Sequence, residues 1–337
     1  MSKKCIMVYG VTGGRHPQMA GLADWLNRYL EQNGWEVIAH FGFSGGSIVS
    51  TIMGNDVHNS EGGTEAWLRA STKFGNYGKI GGWKLIPNLW SLFTKGGMLN
   101  SRTLFDSVFQ PATVGTNVTP SYAGSWCISS SAEVIFDTSD ERVRGYGVAA
   151  SAALPFAISP MIIKNKDLIE WGYADRLTGI EDDLEGDSYF GDGGICSALG
   201  LGLVGDVPVV EEADKAYPVP VIGINIDHIL PMHDKDFGGK SWYKMIWEAG
   251  WGTVRANILD DLKMALEERP VFLCVAPTES RHMKFQTKFD ATEAENIDMF
   301  RSGQRQAEEW ATGPVDGFVD LLDALDAAID PNFKRKS

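Results

Sequence analysis

The residues best suited to chemistry begin with a serine set among glycines. Residues 42–46 read GFSGG and fit the pattern G-x-S-x-G. Where a strand turns abruptly into a helix, the corner residue is held in a strained conformation with its side chain free at the edge of the sheet, and flanking glycines such as Gly42 and Gly46 let the chains pass without Cβ clashes. Ser44 is therefore the candidate nucleophile. Ser47 is a second candidate, although the same pattern places it inside the helix.

A second candidate element is the glycine-rich loop of residues 10–15, which reads GVTGGR. Consecutive small residues expose backbone N–H groups that can bind an anion, so the loop suits either an oxyanion hole beside Ser44 or the phosphate cradle of a dinucleotide site. Residues 11–14 resemble the start of a short-chain dehydrogenase loop, but residues 16–18 (HPQ) replace the glycines that such a loop needs further along. The side chain of Arg15 either serves the loop or is simply solvated.

A carboxylate at Asp192 completes the set. Residues 191–194 read GDGG, which indicates a tight turn at the end of a strand, and Asp-Gly standing alone would favour a hairpin turn. Serine is a poor nucleophile until a neighbouring group takes its proton. A carboxylate, with a reference pKa of about 4, is a weak base unless burial raises that value. Asp192 can serve as this base only if folding brings it to Ser44 from 148 positions further along the chain (192 − 44).

The order of these three motifs resembles that of the patatin-like phospholipase family. The family pattern is a glycine-rich oxyanion loop after the first strand, G-x-S-x-G after the second strand and D-G-[GA] later in the chain. Residues 149–155 (AASAALP) are similar to the family's A-S-x-A-x-P stretch, and residues 126–136 lie where the family has its central strand pair. The resemblance covers residues 5–230, and more loosely residues 271–311.

This resemblance implies roles for the site residues. Ser44 is expected to be the nucleophile, Asp192 the general base of a dyad without histidine, and the backbone N–H groups of Gly13, Gly14 and Arg15 the oxyanion hole. The glycines that support the motifs are Gly42, Gly46, Gly193 and Gly194. The implied activity is phospholipase A-type lipid acyl hydrolysis through an acyl-enzyme, with neither metal nor organic cofactor. Only two glycines of the loop are adjacent, and a histidine stands where the family has glycine, so the identity of the oxyanion donors stays open.

The spacing of apolar residues predicts the elements that position this site. Residues 5–9 (CIMVY) form a continuous apolar run typical of a buried parallel strand. A helical pattern follows and stops at Asn33 and Gly34, and residues 35–41 predict a second strand leading to the serine turn. Together with the resemblance, this order predicts a three-layer α/β/α patatin-like fold with a mostly parallel central sheet, formed by a single domain over residues 1–337.

The remainder of the chain is predicted more coarsely. Residues 55–120 are expected to form a helical insertion or cap, and residues 231–337 a C-terminal helical extension that completes the sheet. Buried strands are predicted over residues 219–226 and 271–275. One apolar stripe from Val315 to Ile329 predicts a terminal helix.

Composition limits the partners. Lys+Arg 30 against Asp+Glu 44 gives a net charge of −14 over 337 residues, which disfavours nucleic acid and anionic membrane surfaces as partners. The expected partner is a phospholipid or other lipid ester, met by transient apolar contact with a membrane surface, for which Trp83 and Trp90 are candidates. The N-terminus lacks the apolar length of a secretory signal and residues 147–163 are too short for a membrane span, so a cytoplasmic location is expected. The four cysteines lack metal-binding spacing and are expected to be buried, reduced thiols.

Several alternatives stay open. The same dyad could act on neutral lipids or small soluble esters, the loop of residues 10–14 could serve a Rossmann-type nucleotide-binding oxidoreductase, and the chain could be a catalytically silent interaction protein. A histidine-containing triad would recruit His228 or His233, whereas His16 could tune the oxyanion loop. The acidic residues between 181 and 187 fit a solvated loop better than a calcium site, because their spacing does not match an EF-hand.

Overall fold

The protein is represented by a computed structural model. It describes residues 3–55, residues 116–226 apart from 155, 196 and 198, residue 256, residues 258–282 and 291–330, and a few positions between 63 and 105. The expected insertion at residues 55–120 falls almost entirely outside the described residues. Four of the residues singled out above also lie outside them: Trp83, Trp90, His228 and His233.

The described residues form both strands and helices. The strands are β1 (Lys3–Tyr9), β2 (Trp35–Phe43), β3 (Gly97–Leu99), β4 (Ser121–Cys127), β5 (Ala132–Asp137), β6 (Phe156–Ile158), β7 (Met161–Lys164), β8 (Asp187–Asp192), β9 (Val221–Ile226) and β10 (Val271–Ala276). The helices are α1 (His16–Gln32), α2 (Gly45–Gly54), α3 (Glu141–Ser151), α4 (Asn165–Glu170), α5 (Pro208–Asp214), α6 (Glu293–Thr312) and α7 (Leu321–Ala328). Residues 258–268 form a further helical segment.

The central sheet has the strand order β10-β9-β1-β2-β4-β8-β7, and β5 also pairs with β4. The run from β10 to β4 is parallel throughout, whereas β5 and β8 are antiparallel to β4, and β7 is antiparallel to β8. The strands predicted over residues 5–9, 35–41, 219–226 and 271–275 are all present. The prediction of an α/β fold with a mostly parallel sheet is therefore confirmed.

Helices cover both faces of this sheet, which makes three layers. In β1 the side chains of Cys5, Met7 and Tyr9 join a core with α1, α2, α3, α6 and α7, whereas Ile6 and Val8 join a second core with α5 and the segment 258–268. All five of these β1 side chains are fully buried. A strand buried on both faces explains why residues 5–9 are apolar without alternation.

The pairing along β4 decides where the candidate site forms. β5 lines one edge of β4 over residues 122–127. The other edge must therefore be shared by β2 and β8, which pair with different halves of β4 and run in opposite directions. Phe43 at the end of β2 lies opposite Gly124, and Asp192 at the end of β8 lies opposite Ser125. The two strands thus meet end to end, with their last residues opposite consecutive positions of β4.

The terminal helix is shorter than the apolar stripe predicted. α7 begins at Leu321, and Val315 and Phe318 instead pair across a turn. The turn residues Asp316 and Gly317 have φ angles of 49° and 87°, a left-handed conformation that a helix cannot contain. The prediction of helix from Val315 was wrong because two apolar residues three positions apart suit this turn as well as a helix.

Two further observations bear on the sequence predictions. Cys5, Cys127 and Cys274 are buried and form no disulfide. Within the part of the chain that the structure describes, no helix combines the length and the apolar composition needed to cross a bilayer.

Candidate active site

Ser44 lies at the corner between β2 and α2. Its φ and ψ angles are 55° and −128°, a conformation that non-glycine residues rarely adopt. The chain passes so closely here that a Cβ on Gly42 would lie 2.2 Å from the carbonyl oxygen of Gly46, and a Cβ on Gly46 would lie 2.4 Å from that of Tyr9. Both glycines are therefore required by the crossing, as the G-x-S-x-G pattern predicts.

The residue before the serine is held by a second pair of glycines. The ring of Phe43 lies against the backbone of Gly124 and Gly200, where an added Cβ would come within 1.9 Å and 1.7 Å of ring carbons, respectively. Phe43 itself is almost fully buried. This slot fixes the end of β2, and through it the start of the strained corner.

The carboxylate of Asp192 contacts the serine hydroxyl directly. Ser44 Oγ donates a hydrogen bond of 2.6 Å to Asp192 Oδ2, and the N–H of Gly194 donates one of 2.8 Å to Oδ1. Asp192 is 1% exposed and Ser44 8% exposed. The structure therefore brings the two predicted site residues together, and the turn after Asp192 continues into a 3₁₀ helix, Gly193–Ile195, rather than a hairpin.

Burial changes the pKa of the Asp192 carboxylate in a direction that suits proton transfer. It raises the pKa of Asp192 to about 7, against the opposing effect of the hydrogen bonds from Ser44 and Gly194, which favour the charged form. A base whose pKa lies near neutral pH combines a useful ionised fraction with a strong affinity for the proton it takes. The arrangement can therefore accept the hydroxyl proton of Ser44 and return it.

The end of α3 contacts both residues of this pair. The N–H of Ser44 donates a hydrogen bond of 3.0 Å to Ser151 Oγ, and the N–H of Asp192 donates one of 3.0 Å to the carbonyl of Ala153. The sequence resemblance drew attention to residues 149–155 but gave no role to either residue. Because both contacts depend on tertiary packing, the motif itself was the one signal that could have pointed to them.

Ser47 lies in the first turn of α2, as predicted. It is fully buried, and its hydroxyl donates a hydrogen bond of 2.6 Å to the carbonyl of Ser44. This contact places Ser47 behind the corner rather than at the sheet edge. Ser44 is thus the better candidate for the nucleophile.

The glycine loop packs against the same corner. A Cβ on Gly45 would lie 2.1 Å from Thr12 Oγ1 and 2.8 Å from the carbonyl oxygen of Gly13. Gly13 has a φ angle of 58° and begins the 3₁₀ turn Gly13–Arg15. The amides of Gly13 and Gly14 come first in this turn, where a helical backbone offers them no partner.

The backbone of Arg15 closes the glycine loop. Its N–H donates a hydrogen bond of 3.3 Å to the carbonyl of Thr12, and its role as an oxyanion donor stays a prediction. Its side chain is fully buried rather than solvated, and Nη1 donates a hydrogen bond of 2.6 Å to Thr278 Oγ1. Nε is 3.3 Å from the Thr12 carbonyl, so the side chain ties the glycine loop to the segment after β10.

The described histidines have other environments. His16 opens α1, and desolvation lowers the pKa of its half-buried ring to about 4, so the ring is neutral at neutral pH. His40 Nδ1 is 2.9 Å from the hydroxyl of Tyr9, and His282 Nε2 is 2.8 Å from Asp298 Oδ2. None of these contacts involves Ser44 or Asp192.

Residues 181–186 form a loop with exposed acidic side chains, as predicted, whereas Asp187 begins β8, is half-buried and forms an ion pair with Lys164 at 2.8 Å. Among the described residues, no group of three or more His, Cys, Asp or Glu side chains is arranged to hold a metal ion.

No protein-family model matches the chain, and no curated protein matches it. Among solved structures, VipD from Legionella pneumophila matches over 97% of this chain and 67% of that chain, with 10% sequence identity and a TM-score of 0.37. A similarity this low assigns neither a family nor an activity.

Proposed function

We propose that this chain is a serine-dependent lipid acyl hydrolase of the phospholipase A type. The observation that carries the proposal is the 2.6 Å hydrogen bond between Ser44 Oγ and a buried carboxylate, at a corner whose φ angle is 55°. A strained corner serine beside a base is the arrangement that activates a hydroxyl for attack on an ester. The order of the three motifs, similar to that of patatin-like phospholipases, supports a lipid ester as the substrate.

The first half of the reaction forms an acyl-enzyme. Asp192 takes the hydroxyl proton of Ser44 as Oγ attacks the ester carbonyl carbon, and the carbonyl π electrons move onto oxygen. When the tetrahedral intermediate collapses, the bond to the leaving alkoxide breaks and Asp192 returns the proton to that alkoxide. Ser44 is left as an ester of the fatty acid.

The second half releases the fatty acid. Asp192, ionised again, takes a proton from a water molecule as its oxygen attacks the acyl-enzyme carbonyl. The collapse of this second intermediate breaks the bond to Ser44 Oγ, which regains the proton from Asp192. One carboxyl group thus acts alternately as base and acid, without histidine.

The negative oxygen of both intermediates needs hydrogen-bond donors. We assign this role to the amides of Gly13 and Gly14, because their loop packs against Gly45, the residue after the nucleophile. Donors fixed in advance where charge develops are commonly the largest single contribution to acyl-transfer catalysis. This packing also favours the oxyanion role over a dinucleotide cradle for residues 10–14.

The proposal is tested by removing each member of the pair. Ser44→Ala should abolish hydrolysis of short-chain and long-chain acyl esters, and Asp192→Asn should lower kcat by at least about 10³-fold, within the range of general-base contributions. Ser188→Ala, which removes a buried hydroxyl bonded to Asn165 instead, serves as the matched control. Ester hydrolysis at the wild-type rate in a folded Ser44→Ala or Asp192→Asn variant would overturn the assignment.

The substrate class needs its own comparison. A phospholipid, a neutral lipid and a small soluble ester all present the same carbonyl to the pair, so only relative kcat/KM values separate them. We expect phospholipid vesicles to be the best substrate, reached by transient contact with the bilayer surface. We place this activity in the cytoplasm, where the buried thiols of Cys5, Cys127 and Cys274 would stay reduced.

A further inference from the structure

We infer that residues 151–153, at the C-terminal end of α3, form a positioning clamp for the Ser44–Asp192 pair. The inference rests on the function proposed above. Ser151 Oγ accepts a hydrogen bond from the backbone N–H of Ser44, and the carbonyl of Ala153 accepts one from the backbone N–H of Asp192, both at 3.0 Å. Two residues of this short segment therefore hold the backbones of two residues that lie 148 positions apart in the chain.

The Ser44 contact bears on the strained corner itself. Ser44 follows the last residue of β2, so its N–H no longer belongs to the ladder with β4, whose pairing ends at Phe43. The hydroxyl of Ser151, which is fully buried, satisfies this donor. A buried N–H without a partner is costly, and a positive φ at a non-glycine residue persists only where its surroundings enforce it. Ser151 supplies part of that enforcement.

The clamp is held by a well-anchored helix. Asp140 caps the start of α3 by accepting a 2.9 Å hydrogen bond from the N–H of Arg142, and Arg144 Nε donates one of 2.8 Å to the carbonyl of Thr138. In mid-helix, a Cβ on Gly147 would lie 2.7 Å from Phe136 Cβ, so α3 packs directly on β5. The final turn is also bonded internally, from the N–H of Ala152 to the carbonyl of Val148 at 3.0 Å.

Ser151 is a positioning residue rather than a catalytic one. Its hydroxyl contacts the serine backbone and not the reacting Oγ or the carboxylate. Burial raises the pKa of Asp192 and the hydrogen bonds from Ser44 and Gly194 lower it, whereas the Ser151 hydroxyl bonds to the backbone of Ser44 rather than to the carboxylate. Loss of the Ser151 hydroxyl should therefore lower kcat without moving the pH midpoint of kcat/KM, whereas a substrate-binding role would change KM instead.

The experiment compares Ser151→Ala with Ser188→Ala on a soluble acyl ester. Both variants lose a buried hydroxyl that makes one side-chain hydrogen bond, but Ser188 bonds to Asn165, away from the pair. We expect kcat to fall about 10–100-fold in Ser151→Ala, the scale of a small misalignment, with an unchanged KM and pH midpoint. Ser188→Ala should keep the wild-type kcat.

A second pair of variants isolates the hydroxyl if Ser151→Ala folds poorly. Threonine and valine have the same shape, but in Ser151→Thr and Ser151→Val only the threonine can accept a hydrogen bond from the Ser44 N–H. Threonine should retain at least about ten times the kcat of valine, within the same misalignment scale. Equal kcat in threonine and valine, or in Ser151→Ala and Ser188→Ala, overturns the clamp. A wild-type protein that hydrolyses no ester overturns the proposed function instead.

Discussion

Asp192 controls the pH dependence of the proposed reaction. The base must be ionised to accept the proton of Ser44, and burial raises its pKa to about 7. We therefore expect kcat/KM for a soluble ester to rise about tenfold per pH unit below pH 7 and to level off above it. Asp192→Glu, which keeps the carboxylate but lengthens its arm, should lower the plateau. A flat wild-type profile from pH 5 to pH 9 would be inconsistent with a single buried base.

The same carboxylate also makes stability depend on pH. Its pKa is higher in the folded chain than the unfolded value of 3.8, so the folded state binds more protons between about pH 4 and pH 7. The stability that protonated Asp192 contributes to the folded state is fully present below pH 4 and is lost as pH rises through 7. Asp192→Asn cannot ionise at this position and should therefore be more stable than wild type at pH 8. We expect its free energy of unfolding to be higher by at most about 4 kcal/mol, at 1.4 kcal/mol per pK unit.

The difference in the free energy of unfolding between Asp192→Asn and wild type should shrink towards pH 4, where residue 192 is uncharged in both folded proteins. Asp182→Asn, which removes a carboxylate from the exposed loop, is the control substitution. Urea unfolding at pH 4, 6 and 8 measures all three proteins. If Asp192→Asn is less stable than wild type at pH 8, ionised Asp192 does not destabilise the folded state.

At the scale of elements, the corner depends on the glycine slot around Phe43. Gly200 has a φ angle of 56°, and a Cβ there would lie 1.7 Å from the Phe43 ring. Gly200→Ala should lose about 1–2 kcal/mol for the left-handed backbone and about 1–3 kcal/mol more for overpacking. Because the ring adjoins Ser44, kcat should fall as well.

Gly179→Ala separates these effects. Gly179 also has a positive φ, of 82°, but a Cβ there would have no neighbour within 4 Å. This variant should lose only the backbone contribution of about 1–2 kcal/mol and keep the wild-type kcat. Chemical denaturation and ester kinetics on the two variants provide the comparison, and similar losses of activity in both would argue against the slot.

The site was predictable from the sequence where local backbone geometry dictates residue type. The close crossing of the chain at Ser44 requires glycine at positions 42 and 46, so the G-x-S-x-G motif alone predicts the corner. The contacts of Ser151 and the shared edge of β4 were not predictable, because strand register and the packing of α3 are set by the whole sheet. The start of α7 was missed because Asp316 and Gly317 form a turn inside an otherwise helical pattern.

The net charge of the chain should affect the proposed hydrolysis of lipid vesicles. The net charge of −14 opposes approach to an anionic bilayer, and salt screens this repulsion over a Debye length of about 10 Å at 0.1 M. Hydrolysis in vesicles of zwitterionic lipid should therefore be faster than in vesicles rich in anionic lipid. The gap should narrow as salt rises from 20 mM to 500 mM, and faster hydrolysis of anionic vesicles at low salt would contradict this expectation.

Covalent labelling measures whether Ser44 is a nucleophile activated by Asp192. A fluorophosphonate reacts with activated serines, and mass spectrometry of the digested protein locates the adduct. We expect one adduct per chain, on the peptide that contains Ser44, formed at least about 100-fold more slowly in Asp192→Asn. Labelling on another residue, or at an equal rate in Asp192→Asn, would contradict the claim.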